Sequence, residues 1–306
     1  MSPCSLALAA RPAFFLVGAP KCGTTALQQY LAQAPDVFMP AGKEFHHFAD
    51  DLLCRDDPLR DEARYLALFA DAAPGQLVGE TSVFHLLSTT AAARIQAFAP
   101  DARIVVMVRN PLELIPALHA QLVYNGEEPL ADLGEALDAE ADRARGLRIP
   151  AAARFPQKLL YTQVVRFAEQ IERYRARFAR LHVVVYDDFK RDTAAAVREV
   201  LAFLGRDAAF APEIRVVNAN KQVRSRRIQR LLRDADGPLA RLARLVPRST
   251  RLRIRALLHG WNTVHRARPP LAPAVRARLR AACALEVEKL GDLIGRDLSP
   301  WIEDRP

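Results

Sequence analysis

Between Gly18 and Thr25 the chain reads Gly-Ala-Pro-Lys-Cys-Gly-Thr-Thr, a short turn rich in groups that can hold an anion. Gly18 and Gly23 let the backbone turn tightly and approach a ligand closely. Lys21 adds a full positive charge, and the Thr24 and Thr25 hydroxyls add donors. Where a helix begins at such a turn, its first amides have no partner within the helix and carry partial positive charge, so a phosphate can rest on them. Cys22 at the same helix start could carry a lowered thiol pKa, or simply fill the loop.

The spacing approaches G-x-x-x-x-G-K-[ST], the turn that cradles nucleoside triphosphates, with one change. Thr24 stands where that turn has its lysine, and Lys21 lies three residues earlier. A lysine after the second glycine reaches β- and γ-phosphates; moved forward, it suits a ligand with one 5′-phosphate and an adjacent leaving bond. Further along, Arg109 closes an apolar run, where a guanidinium can grip a phosphate by two parallel bonds or cap its neighbours by a salt bridge. Lys43 and Glu44 stand just before His46 and His47. A carboxylate or imidazole within reach of a hydroxyl can act as general base, an effect of about 10²–10⁴-fold. Glu80 and His85 add two more ionisable groups. No metal is expected from Glu44, His46, His47 and His85, since adjacent histidines on one element rarely point at one ion.

These residues need elements to position them. Phe14–Val17 reads as a short buried strand stopped by Gly18-Ala19-Pro20, and Ala26, Leu27, Tyr30, Leu31 and Ala34 recur at helical spacing from about Thr25. Leu77–Gly79 is a candidate strand and Ala91–Phe98 a helix. Ile104–Val108 is a continuous apolar run, suited to a strand covered on both faces. Asn110-Pro111-Leu112-Glu113 then carries a capping residue, a proline at the first helical position and an acid in the first turn, all marks of a helix start. Pro116 should bend that helix. Leu159–Phe178 has helical periodicity, Val183–Tyr186 reads as a strand, and Thr193–Leu204 as a helix ended by Gly205. Strand and helix alternate from about residue 13 to 205. The expected fold is therefore three-layer α/β with a central parallel sheet. After residue 206 no strand is expected; proline joints separate short Arg/Leu helices, and Val275–Leu290 makes the last one. The expected division is 1–210 for the α/β core and 211–306 for a basic helical region that packs on the core or closes over it.

Pro20-Lys21-Cys22-Gly23-Thr24-Thr25-Ala26-Leu27 resembles the P-K-x-G-T-T-x-L loop of the sulfotransferase superfamily. Gly42–Phe48, Gly79–Ser82, Val108–Pro111, Val183–Phe189 and Phe203–Gly205 resemble its later motifs in the same order, most closely those of carbohydrate, heparan-type and bacterial members. The resemblance implies a P-loop-like sulfotransferase fold and 3′-phosphoadenosine 5′-phosphosulfate (PAPS) as donor, leaving as 3′-phosphoadenosine 5′-phosphate (PAP). It assigns the 5′-side to Lys21, Cys22, Gly23, Thr24, Thr25 and Ala26, and the 3′-phosphate to Arg109. It nominates Glu44 as base with Lys43 beside it, His46 and His47 being rivals. Where the family has a serine eight residues after the arginine, this chain has Ala117. One hydrogen bond to a charged group is worth about 1.5–3 kcal/mol, and His119, Lys221, Arg224 and Ser225 are candidates to replace it.

The chain has 306 residues and a formal charge of +9, half its residues are hydrophobic, and only six of its 44 basic residues are lysine. That composition is globular rather than disordered. From Lys221 to Arg255 only Asp234 and Asp236 oppose the arginines, which suits an acidic ligand or a solvated helix face. The four cysteines are scattered, so neither a disulfide framework nor a zinc site is expected. Leu6–Val17 is apolar but interrupted by Arg11-Pro12, and it reads as a strand rather than a signal or membrane span. A cytoplasmic enzyme with a small-molecule or glycan acceptor is expected, with no specific nucleic acid. Two other readings stay open at this level. One is an ATP–Mg²⁺ kinase with a deviant loop, using Asp187 or Asp188. The other is a nucleotide-binding protein whose basic tail holds a polyanion. Acceptor and oligomeric state leave no mark in the sequence.

Overall fold

The computed structural model describes residues 10–52, 57–153, 155–214, 221–223, 263–265 and 270–303, with 221–223 and 263–265 described by backbone alone. The apolar runs become the inner strands of a sheet. Phe14–Gly18 forms β1, with every residue buried. β2 is Val37–Phe38 and β3 is Leu77–Thr81. Arg103–Val108 forms β4, whose Ile104 to Val108 are wholly shielded from solvent, and Leu181–Val185 forms β5. Strands covered on both faces need no polar alternation, which explains the unbroken apolar runs. All five pair in parallel in the order β2-β3-β1-β4-β5.

The order reverses at β1. Leu16 pairs with Thr81 of β3 on one side and with Val105 of β4 on the other. A parallel sheet opens a crevice beyond its strand ends at such a reversal. Here the Ala19 amide bonds the Met107 carbonyl at 2.7 Å and ties the two strand ends together.

Helices flank the sheet: α1 (Thr24–Leu31), α2 (Glu62–Leu66), α3 (Ala91–Phe98) and α4 (Pro111–Asn125). The side chain of Asn110 accepts the Leu112 amide at 2.8 Å and starts α4, which continues through Pro116. α5 (Leu133–Asp138) and α6 (Glu140–Ala144) follow. The single helix expected over Leu159–Phe178 is two, α7 (Tyr161–Val164) and α8 (Phe167–Arg175). The break is built in by side chains. Gln170 donates to the Gln163 carbonyl at 2.9 Å, and Glu286 accepts the Ala168 amide at 2.6 Å, so α8 has its own start. α9 (Tyr186–Arg191) follows β5 directly; Tyr186, expected as the last residue of a strand, is its first residue. In α10 (Thr193–Phe203) Asp192 accepts the Ala195 amide at 2.8 Å, and Gly205 follows with a left-handed φ of 64°. The last helix, α11, runs from Pro273 to Ile294.

One expectation fails after residue 206. Lys221–Val223 (β6) and Thr263–His265 (β7) pair as an antiparallel ladder. Each strand has three residues, too few for an alternating pattern to show in the sequence.

Contacts divide the chain into two compact units. The first, Met1–Leu114, Thr162–Val217 and Leu279–Pro306, contains the parallel sheet. The second is Ile115–Tyr161 with Asn218–Arg278. Its polar centre is buried Glu128, which accepts from Arg143 at 2.7 and 2.9 Å, from the Tyr161 hydroxyl at 2.8 Å and from the Leu130 amide at 2.9 Å.

Candidate active site

The turn after β1 enters α1 through Gly23, which takes the N-cap position at φ 91° with no side-chain cap. The left-handed φ favours glycine there, and a Cβ would sit tightly against its neighbours, 3.1 Å from the Tyr186 ring and 3.3 Å from Phe189. No acidic side chain lies in the first turn of α1. Among the described residues no hydrogen bond takes the amides of Gly23, Thr24 or Thr25, whereas the Ala26 amide bonds the Gly23 carbonyl at 2.9 Å. Thr24 is buried and Thr25 half-buried. Among the described residues the result is a helix start with open amides and no acidic side chain in its first turn.

Lys21 sits in the left-handed region at φ 63°, and its carbonyl accepts from Arg109 Nη1 at 3.0 Å. The same guanidinium pairs with Glu113 at 2.7 Å and lies over the Tyr186 ring at 4.4 Å from its centre. Arg109 at the end of β4 thus braces the loop at the end of β1. Tyr186 is wedged between them, a role that sequence reasoning missed. The signal was present: an aromatic residue directly at the end of the β5 apolar run. Burial pushes the Cys22 thiol up to about 12 against the lowering charge of Arg109, which favours the loop-filling reading over a lowered pKa, because desolvation outweighs the neighbouring positive charge.

A second cluster lies at the end of β3. The Glu44 amide bonds the Thr81 carbonyl at 2.8 Å, and its carboxylate accepts from Lys43 Nζ at 2.8 Å and from the Val83 amide at 3.1 Å. Both Glu44 and His46 have left-handed backbone, at φ 65° and 52°. That turn carries the His46 amide to Ser82 Oγ at 2.9 Å and sets His46 Nε2 3.4 Å from the Glu44 carboxylate. Behind them Ser82 Oγ donates to Glu80, and Glu80 lies 3.4 Å from His85 Nδ1. Glu80 and His85 are both fully buried. Burial, with the charge of Glu44 adding to it and the Ser82 bond opposing it, raises Glu80 to about 8. Burial and the nearby histidines hold His85 well below its ordinary value, so the pair is uncharged at neutral pH.

His47 points elsewhere. Its ring stacks on Tyr65 with centres 4.2 Å apart and Nδ1 meets the Leu59 carbonyl, while burial lowers its pKa. The structure therefore brings His46, not His47, to Glu44. Adjacent residues in a kinked turn face opposite ways, and no sequence pattern reports which one turns inward. Among the described residues no group of three His, Cys, Asp or Glu side chains could hold a metal.

Ala117 is buried in the α4 portion of the second unit. In the same unit His119, a candidate donor, is directed to the Leu130 carbonyl at 2.9 Å. Lys221 is described only as backbone of β6, and Arg224 and Ser225 lie outside the described residues. Among the described residues no helix is long and apolar enough to cross a membrane.

Residues 11–229 match the profile of a family described as "Sulfotransferase domain". A solved structure, a sulfotransferase from Alicyclobacillus acidocaldarius, superposes with a TM-score of 0.71 at 29% identity, covering 96% of this chain and 100% of that one. Heparan sulfate glucosamine 3-O-sulfotransferase 6 of Homo sapiens is 34% identical over 110 residues, 36% of this chain and 30% of the relative. Heparan sulfate glucosamine 3-O-sulfotransferase 3B1 of Mus musculus is 31% identical over 105 residues, 33% of this chain and 24% of the relative. The chain thus spans less than a third of the length of these curated relatives.

Proposed function

The chain belongs to the sulfotransferase domain family, and from that premise we propose that it transfers a sulfuryl group from PAPS to an acceptor hydroxyl or amine. The observation that supports this most is the uncapped start of α1: glycine at the cap, no acid in the first turn, and open amides at residues 23 to 25. That cradle fits an anion with one 5′-phosphate. When bound, the donor supplies an activated sulfuryl group joined to that phosphate.

The chain's own residues then have distinct tasks. The amides of Cys22 to Thr25, the Thr24 and Thr25 hydroxyls and Lys21 hold the negative charge that builds on the leaving side. Preorganised donors of this kind cost no reorganisation during reaction. Arg109, already fixed by the Lys21 carbonyl and the Tyr186 ring, has a charge suited to a second phosphate. Glu44 takes the acceptor proton; Lys43 and the Val83 amide orient its carboxylate, and His46 stands beside it. Positioning and electrostatics carry most of such a reaction, as in phosphoryl transfer. The acceptor is proposed only as a class, a glycan or small-molecule alcohol or amine.

A kinase would need a strand-end aspartate for magnesium. Asp187 is bonded to Trp301 and Asp188 to Arg296, which supports the sulfotransferase reading over that one. The test is calorimetric binding of PAP against ATP–Mg²⁺. PAP is expected to bind tighter, with Lys21→Ala and Arg109→Ala each weakening it at least about tenfold, the scale of one charged hydrogen bond. Glu44→Gln is expected to keep PAP affinity while kcat falls about 10²–10⁴-fold. A wild-type preference for ATP–Mg²⁺ sinks the reading.

A further inference from the structure

The last described residues return to the end of the sheet. α11 stops at Ile294, and Gly295 turns the chain at φ 66°. The Arg296 amide bonds the Gly291 carbonyl at 2.9 Å. A Cβ on Gly291 would lie 2.7 Å from the Arg296 carbonyl oxygen, so the close return of the chain requires glycine there. Leu298 and Trp301 then bury themselves.

Three attachments follow, and each falls beside a residue of the phosphate-loop wall. The Trp301 indole N–H donates to Asp187 at 2.6 Å. The Trp301 carbonyl accepts from the Asn110 side chain at 3.2 Å. Arg296 pairs with Asp188, one of its bonds being 3.1 Å. Asn110 is the neighbour of Arg109; Asp187 and Asp188 follow Tyr186 in the first turn of α9. Arg109 and Tyr186 are the two groups stacked against each other behind the loop, and Tyr186 backs onto Gly23.

We propose that residues Arg296–Trp301 form a latch that fixes the Arg109–Tyr186 wall of the donor site, with Trp301, Arg296 and Asp187 as positioning residues that touch neither donor nor acceptor. The proposal deepens the donor reading and rests on it only for its effect on affinity. Tyr186 lies against Gly23 and the Arg109 guanidinium, and the tail adds to that wall bonds on Asp187 and Asp188, charged acceptors whose bonds are stronger than neutral ones. Because Trp301 also holds Asn110, one residue couples the end of β4 to the start of α9.

The test uses the full chain with Trp301→Phe, which keeps a six-membered aromatic ring and removes the N–H, and Arg296→Met as a second, milder variant. Amide hydrogen exchange is followed without nucleotide, and PAP binding is followed by calorimetry. Trp301→Phe is expected to speed exchange several-fold at the bonded amides that flank the loop, Ala19, Ala26 and Leu27, and at residues 112–114, leave α3 as in the wild type, and weaken PAP about tenfold, the scale of one charged bond. Arg296→Met should do the same to a lesser degree. Wild-type exchange at those amides in both variants overturns the latch. A uniform rise that includes α3 also overturns it, since that is global destabilisation. If the wild type binds no PAP while exchange at those amides responds as expected, the donor reading fails and the latch stands.

Discussion

Glu80 in the first unit and Glu128 in the second are both shut away from water, at 0% and 2% exposure, yet they settle in opposite charge states. Glu80 meets one hydroxyl and a neutral imidazole and is raised to about 8. Burial pushes Glu128 up as well, but the hydrogen bonds from Arg143, the Leu130 amide and Tyr161 together outweigh it and leave its pKa below the ordinary value. Burial sets the cost of a charge; the partners decide whether it is carried. The first unit keeps a neutral acid behind its candidate site, and the second spends an arginine on a fixed ion pair.

The contrast breaks most directly at Arg143. Its guanidinium is 1% exposed against a fully buried carboxylate. Arg143→Met is expected to destabilise the chain by about 3–5 kcal/mol in urea unfolding, because it strands a buried charge. Adding Glu128→Gln should recover part of that loss, and no recovery would show that Glu128 was not charged.

Glu80 should yield an effect of comparable size, spread over pH rather than present at every pH. Its folded value lies above the ordinary 4.5, so the folded state keeps a proton that the unfolded chain releases. Stability contributed by this group is fully present below about 4.5 and is lost as pH rises towards about 8. The slope is about 1.4 kcal/mol per pH unit in that window. Glu80→Gln is expected to flatten the profile between pH 5 and 8. An unchanged slope in the variant would assign the dependence to other groups.

The smallest effect is expected at Tyr161, one of several donors to Glu128. Tyr161→Phe should cost about 1.5–3 kcal/mol, the scale of one bond to a charged group, and leave the other bonds to carry the charge. A loss as large as that of Arg143→Met would mean that the phenol, not the guanidinium, holds the carboxylate in place.

Much of the framework was legible in the sequence. Phe14–Val17 and Ile104–Val108 announced inner strands by unbroken apolar character, and Asn110-Pro111 announced the start of α4 by capping chemistry. What escaped was set by contacts distant in sequence. The break between α7 and α8 depends partly on Glu286, far along the chain. The sequence could offer Asp187 and Asp188 as metal ligands because nothing local reveals that Trp301 and Arg296 occupy them. His46 and His47 differ only in which way a left-handed turn rotates them.

Lys21, Glu44 and His46 all hold the left-handed backbone that L side chains resist, at roughly 1–2 kcal/mol per residue. Glycine at any of the three would relax the chain. Selection for heat tolerance alone would therefore drift towards glycine at positions 21, 44 and 46 and remove the charge, the proposed base and its neighbour. For anyone hardening this protein, these three positions are the ones to exclude from the library, because there robustness and the proposed activity pull the same codon in opposite directions.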